Sequence, residues 1–300
     1  MAKRKQWILE LAACAALGLS GCAGSTGQNE PPPPPQSGSV ATLLKDAPAD
    51  NVLAFQVDVT GVALTGSSGS ASLLNDMQQV ELRHLQLSPT LLLQTNSVRA
   101  ESYSTVRLTF ANPRLTVLGA QGNVQKLTSS TTPSVGLSRV TVDVPLSLSL
   151  PSSSMVGLMV DFDLQQSIQT DAGGNYVVNP VVRAKLVDAS DDSFHAYGRV
   201  EALPGSPPNS LDVRVIPGGQ LLRLRTDANT RLSSTIGQFS SLRIGSMVEL
   251  DARFQASGIH LATYITAGAP DPNLRYEGVV TRFRTNGGTT SLEVVIQRSP

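Results

Sequence analysis

Cysteine, aromatic residues, histidine and net charge are all scarce in this chain of 300 residues, and each scarcity narrows the chemistry open to it. The only two cysteines are Cys14 and Cys22, both near the start, so the remainder must fold without disulfides. With 40% hydrophobic residues and this length, the chain can bury a core without such staples and suits two ordinary domains. The single tryptophan is Trp7, and five Tyr and seven Phe are spread thinly over the rest. Sugar platforms and single-strand readers usually stack ligands on exposed aromatics, and few are present to do so. Basic and acidic residues balance at 23 each, which argues against a nucleic-acid binder that needs a basic surface to displace counterions from phosphates.

The N-terminus carries the strongest local signal. Lys3-Arg4-Lys5 is a basic start, Trp7 to Leu19 is a short apolar stretch, and Leu19-Ser20-Gly21-Cys22 closes it with small residues before a cysteine. This resembles the lipobox of bacterial lipoproteins. The resemblance implies that residues 1–21 are a signal peptide and that Cys22 is lipidated and becomes the first residue of the mature chain. Its acyl chains would make the membrane a partner, at ~0.8 kcal/mol per buried methylene. Glu10 departs from the pattern as a carboxylate in the apolar stretch, and the stretch is too short for a stable transmembrane span. Loss of Lys3, Arg4, Lys5 and Glu10 with the leader takes the net charge to about −2. Ala23 follows the cysteine, which implies the outer membrane if the cell is Gram-negative. Residues 22–39 hold five consecutive prolines, Pro31 to Pro35, and read as an extended polyproline tether.

From Val40 the apolar residues recur with period two, the pattern of strands with one buried face. Leu53, Phe55, Val57 and Val59 alternate with Ala54, Gln56, Asp58 and Thr60; Val106, Leu108 and Phe110 alternate with Arg107 and Thr109. Leu158, Val160, Phe162 and Leu164 alternate with Gly157, Met159, Asp161 and Asp163. Asp171-Ala172-Gly173-Gly174-Asn175 predicts a hairpin between Ile168 and Tyr176. The denser leucines between Val80 and Thr95, with Ser88-Pro89 as a start signal, predict one short helix. Together these predict an antiparallel β-sandwich over residues 40–188. Leu44-Lys45-Asp46-Ala47-Pro48, the strand through Val57 and Val59, Tyr103 to Leu108, Val160 to Asp163 and Asn179-Pro180-Val181 resemble the bacterial lipoprotein family catalogued as domain of unknown function 4382. The resemblance covers about half the chain and implies no activity. Lys45 departs from the Thr or Ser usual at its position.

A linker is predicted at Asp188 to Asp192, followed by a second unit over residues 194–268. Tyr197 to Glu201, Leu211 to Val215, Leu222 to Arg225, Val248 to Phe254 and Leu261 to Thr266 are five short strands, with a long excursion between the third and fourth. This predicts a small closed barrel of the OB kind, making the whole chain all-β. Gly198-Arg199-Val200 and the stretch Leu242 to Glu249 resemble the small repeat domain catalogued as domain of unknown function 5666. The opening recurs as Glu277-Gly278-Val279-Val280 with Ser291-Leu292-Glu293-Val294, so residues 274–300 read as a partial second copy. Two strands cannot close a barrel, so either the copy is truncated, the favoured expectation, or the hairpin packs on its neighbour.

Little in the remainder points to chemistry. No G-x-S-x-G elbow accompanies His84, His195 and His260, which read as ordinary surface or partly buried histidines. Asp161 and Asp163 share one strand face, and Asp188, Asp191 and Asp192 cluster in the predicted linker, but no Asp-rich calcium loop frames either group. No catalytic, metal or cofactor residue is therefore assigned, and Cys22 is the one functional residue predicted. The expectation is a non-enzymatic, membrane-anchored extracytoplasmic protein that binds an envelope polysaccharide or protein, and not nucleic acid. The rival is an envelope hydrolase of glycan or peptide assembled from scattered acids such as Asp161 and Asp163.

Overall fold

Alternation predicts strands buried on one face, and the computed structural model shows where that holds and where a strand is buried on both. The structure describes residues 36–47, 49, 51–86, 89–119, 121–136, 139–187, 192–204, 210–216, 218–268 and 277–298. The predicted leader, Cys22, Pro31 to Pro35, Ser88, Asp188 and Asp191 lie outside the described residues.

The first half contains β1 (Ser37–Ala47), β2 (Val52–Gly66), β3 (Gly69–Ser72), β4 (Gln78–Glu81), a 3-10 turn (Arg83–Gln86), β5 (Thr90–Arg99) and β6 (Ser102–Leu118). It continues with β7 (Val124–Leu127), β8 (Val135–Gly136), β9 (Val140–Ser149), β10 (Met155–Asp163), α1 (Leu164–Ser167), β11 (Ile168–Thr170), β12 (Tyr176–Val178) and β13 (Val182–Leu186). Six strands around the long β2·β6 pair form one sheet, and β13-β10-β1-β5 run side by side in another. Their facing side chains make one core in which Phe162 packs against Phe55, ring centres 6.2 Å apart, and edge-on against Phe110 at 5.4 Å. The predicted hairpin is present: β11 and β12 pair, and Asp171 Oδ1 accepts from the amides of Gly173 and Asn175 in the turn.

Three local expectations are corrected. The sandwich is not purely antiparallel, because β1 and β10 run parallel from Ser39↔Met155 to Ala47↔Asp163. The strand read through Leu164 ends at Asp163, whose carboxylate caps α1 by accepting the Gln166 amide at 3.0 Å. The helix between Val80 and Thr95 is only the single turn Arg83–Gln86, and Thr90–Arg99 is a strand. Leu91 and Leu92 explain the misreading, since they are buried in different cores on opposite faces of β5, and such a strand carries no alternation. The same holds in β1, where Val40 and Leu44 face the sandwich core while Ala41 and Leu43 face a second core, and in β10, where Met159 does so.

That second core belongs to the next unit, made of β14 (Ser193–Ala202), β15 (Ser210–Val215), β16 (Leu221–Arg225), β17 (Arg231–Leu232), a 3-10 turn (Phe239–Ser241), β18 (Met247–Arg253) and β19 (Ile259–Ala267). β14 pairs β15, β15 pairs β16, β16 pairs β19 in parallel, β19 pairs β18, and β18 returns to β14, so five strands close a barrel in the order 1-2-3-5-4. Closure leaves no free edge, and Val200, Leu211, Val213, Leu222, Val248 and Leu250 fill the interior, fully buried. A single parallel bridge, His195↔Thr90, joins the barrel to β5, so one ten-stranded sheet runs through both units. The layer β10-β1-β5 is thus the middle of three.

The last pair, β20 (Glu277–Asn286) and β21 (Thr289–Arg298), is a separate antiparallel hairpin. The repeat seen in sequence has a structural cause: a side chain on Gly198 would meet the Arg214 carbonyl, and one on Gly278 the Val295 carbonyl, at the same point of the two hairpins. The hairpin packs on the sandwich, where Gln297 Nε2 donates to the Leu53 carbonyl and Val295 is buried. Val280, Leu292 and Val294 remain largely exposed, although their counterparts Val200, Leu211 and Val213 are buried in the barrel.

Candidate functional site

A cleft of about 550 Å³ opens where β1, β5, the β9–β10 turn and the barrel's β16 and β18–β19 turn converge. Its position follows from the three-layer arrangement, since the start of β1 and the end of β5 emerge from the middle layer beside the barrel rim. Backbone bonds hold the walls: Ser39 N donates to Ser154 O, Ser153 N to Ser37 O, and Met155 N to Ala256 O, each at 2.8–2.9 Å. The β1·β5 register shifts between Gly38 and Val40, at Ser39, a bulge of the kind that re-aims side chains. Gly38 admits no side chain, because a Cβ there would lie 2.5 Å from the Pro151 carbonyl. Ser97 and Ser153, two of the three described non-glycine residues with positive φ, both line the cleft, at 67° and 58°. Strained backbone of this kind persists only where surrounding structure imposes it, and it concentrates at binding and catalytic sites.

The polar part of the lining is serine, amide and one guanidinium, set beside Met155, Leu221, Ala256 and Ile259. Ser39 Oγ donates to Asn96 Oδ1 at 3.0 Å. Beneath the cleft, His260 is fully buried between Phe194 and Phe254, and burial pushes its pKa down to about 4. The ring is therefore neutral, and because Nδ1 accepts from the Gln255 amide at 3.1 Å, the proton must sit on Nε2. Nε2 then donates to Gln94 Oε1 at 3.4 Å, which orients the Gln94 amide. Arg223 is exposed on β16 and lies opposite Asp212 in register, yet makes no ion pair among the described residues.

The residues weighed from sequence are placed elsewhere. His260 belongs to the core, contrary to its reading as a surface or partly buried group: β19 places it against two phenylalanines from β14 and the β18–β19 turn. His195 is partly buried, with Nδ1 3.0 Å from Asp251 Oδ1 and Nε2 3.0 Å from Glu249 Oε1, because the β14·β18 register sets both acids beside it. His84 donates its amide to Glu81 Oε2. Asp192 pairs with Lys185 at 3.5 Å. Asp163 caps α1, and Asp161 lies on the same face of β10, both partly exposed, with one Asp161 carboxyl oxygen buried without a hydrogen bond. Neither lines the cleft. Among the described residues, no group of three or more His, Cys, Asp or Glu is placed to hold a metal ion, and no helix is long and apolar enough to cross a membrane.

A group of buried carboxyls was not legible in the sequence. Asp46 is 1% exposed and neither of its oxygens makes a good hydrogen bond. Burial pushes it up to about 8; the Leu164 amide and Arg83 oppose this, while Glu81 and Asp161 add to it. Burial also pushes Glu81 up to about 7, although it accepts the amides of Phe55 and His84. The only available signal was Asp46 in phase with Val40 and Leu44, which places a carboxyl on a core-facing row.

Residues 37–180 match the family model described as domain of unknown function (DUF4382). The match covers the sandwich from β1 through β12 and contains the Leu44 to Pro48, Tyr103 to Leu108 and Val160 to Asp163 segments on which the resemblance rested. The barrel, and hence the Arg223 side of the cleft, lies beyond the matched residues. No curated protein and no solved structure matches the chain.

Proposed function

We propose that the mature chain is a lipid-anchored extracytoplasmic lipoprotein of the cell envelope, on the outer membrane if the cell is Gram-negative, that binds an envelope polymer without transforming it. The observation that carries the binding role is the preformed cleft, whose volume falls in the range of about 300–1,000 Å³ typical of ligand sites and whose strained lining is imposed by the strands around it. The anchor rests on the Leu19 to Cys22 motif, and the tether of residues 22–39 would hold the cleft away from the bilayer. The barrel is read as a member of the small repeat domain 5666, appended to the sandwich to supply one wall. A hydrolase working through Asp161 and Asp163 draws no support from their positions, since one caps a helix and neither reaches the cleft.

Two measurements test this. Intact mass and membrane partition of the protein made with its own leader should show acyl mass and full membrane association, both abolished in Cys22→Ala; a soluble, unmodified wild type would remove the anchor. Soluble Cys22→Ala protein should co-sediment with purified envelope polysaccharide, and Ser257→Trp, at the exposed cleft lip, should prevent it. Binding unaffected by that tryptophan would place the polymer site elsewhere.

A further inference from the structure

We infer that the cleft takes an anionic saccharide segment, with a sugar carboxylate seated on Arg223; this deepens, and rests on, the polymer-binding reading. The argument comes from the sign of what the walls present. Asn96 Oδ1 is occupied by the Ser39 hydroxyl, and Gln94 Oε1 by the His260 ring proton. Each amide is thereby turned so that its NH2 group, which has no partner among the described residues, is what remains for a ligand. Two amide donors, the exposed hydroxyls of Ser97 and Ser153 and one guanidinium make a donor-rich surface, while Ser154 and Ser257 give their protons to the Pro151 and Ile259 carbonyls; among the described residues no acidic residue lines it.

A donor-rich site is complementary to acceptors, and a carboxylate is the acceptor that a planar guanidinium binds in two parallel, charge-assisted bonds. The serines match a ligand that carries hydroxyls and ring oxygens beside its charge. The cleft has no aromatic platform, so recognition cannot rest on stacking and falls to hydrogen bonds and the single ion pair. The charge is local rather than global, because the mature chain as a whole is close to neutral.

The test is titration calorimetry of soluble Cys22→Ala protein with oligogalacturonate and with the same oligosaccharide fully methyl-esterified, which keeps the sugar and removes the charge. The acid form should bind at least tenfold more tightly than the ester. Arg223→Gln should erase that difference while leaving the thermal midpoint unchanged, since Arg223 is exposed and unpaired. Raising salt should weaken only the acid form. Equal binding of both forms, or retention of the difference in Arg223→Gln, overturns the anionic assignment while leaving polymer binding intact, provided Ser257→Trp still blocks it. Failure of both oligosaccharides and of envelope polysaccharide overturns the polymer-binding reading and this inference with it.

Discussion

Asp46→Asn is expected to stabilise the protein by about 2–4 kcal/mol at pH 8 and by almost nothing at pH 4, read from urea midpoints at the two pH values. Asp46 lies on the core-facing row of β1 with both oxygens lacking good hydrogen bonds, and burial raises it from 3.8 to about 8. An acid whose folded pKa is raised holds its proton longer when folded than when unfolded. Its contribution is therefore fully present below 3.8 and is lost progressively as pH rises towards 8. The whole displacement would amount to roughly 6 kcal/mol, and relaxation and water entry at an ionised Asp46 reduce it to the smaller range. Asparagine has the same shape and never ionises, so it removes the loss at high pH and changes little where Asp46 is protonated. Glu81, raised from 4.5 to about 7, acts with the same sign over its own window, so the variant should retain a shallower decline between those values. An Asn variant equally destabilised at both pH values would show that Asp46 is held as a paired carboxylate.

His260→Ala is expected to cost about 3–5 kcal/mol at pH 7, the range for removing a buried ring. The ring touches Phe194 and Phe254 at centroid distances of 5.3 and 5.4 Å, and its loss leaves the Gln255 amide without its acceptor. The pH dependence runs opposite to that of Asp46. A histidine whose pKa falls from 6.5 to about 4 on folding is protonated first in the unfolded chain, so its contribution is present above 6.5 and is lost as pH falls towards 4. The alanine variant should therefore lose stability at pH 7 and show a flatter acid limb between 6.5 and 4. A cost below about 1 kcal/mol would mean that the site collapses around the gap. Because His260 orients Gln94, the same variant should also weaken ligand binding in the cleft, even in buffer where it remains folded.

The two substitutions separate what strand pattern reveals from what it hides. Barrel strands such as Leu211 to Val215 and Val248 to Phe254 alternate because only one side of a closed barrel faces its core, and their positions were read correctly. Thr90–Arg99 was misread as partly helical because the middle layer has no solvent face, and period two disappears when both faces are apolar. The Asp171 to Asn175 turn was legible because its residues bond to one another within five positions. The cleft was not, because Ser39, Gln94 and Arg223 come from strands, and Ser154 from a turn, whose adjacency depends on a parallel β1·β10 pairing and one β5·β14 bridge.

By itself, then, the sequence determined the all-β class, the five barrel strands and the repeated glycine-led hairpin, all of which depend on neighbours in the chain. Tertiary structure alone decided the three-layer stacking, the burial of Asp46 and His260, the two acids beside His195 and the donor-rich cleft. Each of these requires groups more than fifty residues apart to meet at hydrogen-bonding or packing distance, and only strand register, which no local pattern encodes, sets that distance.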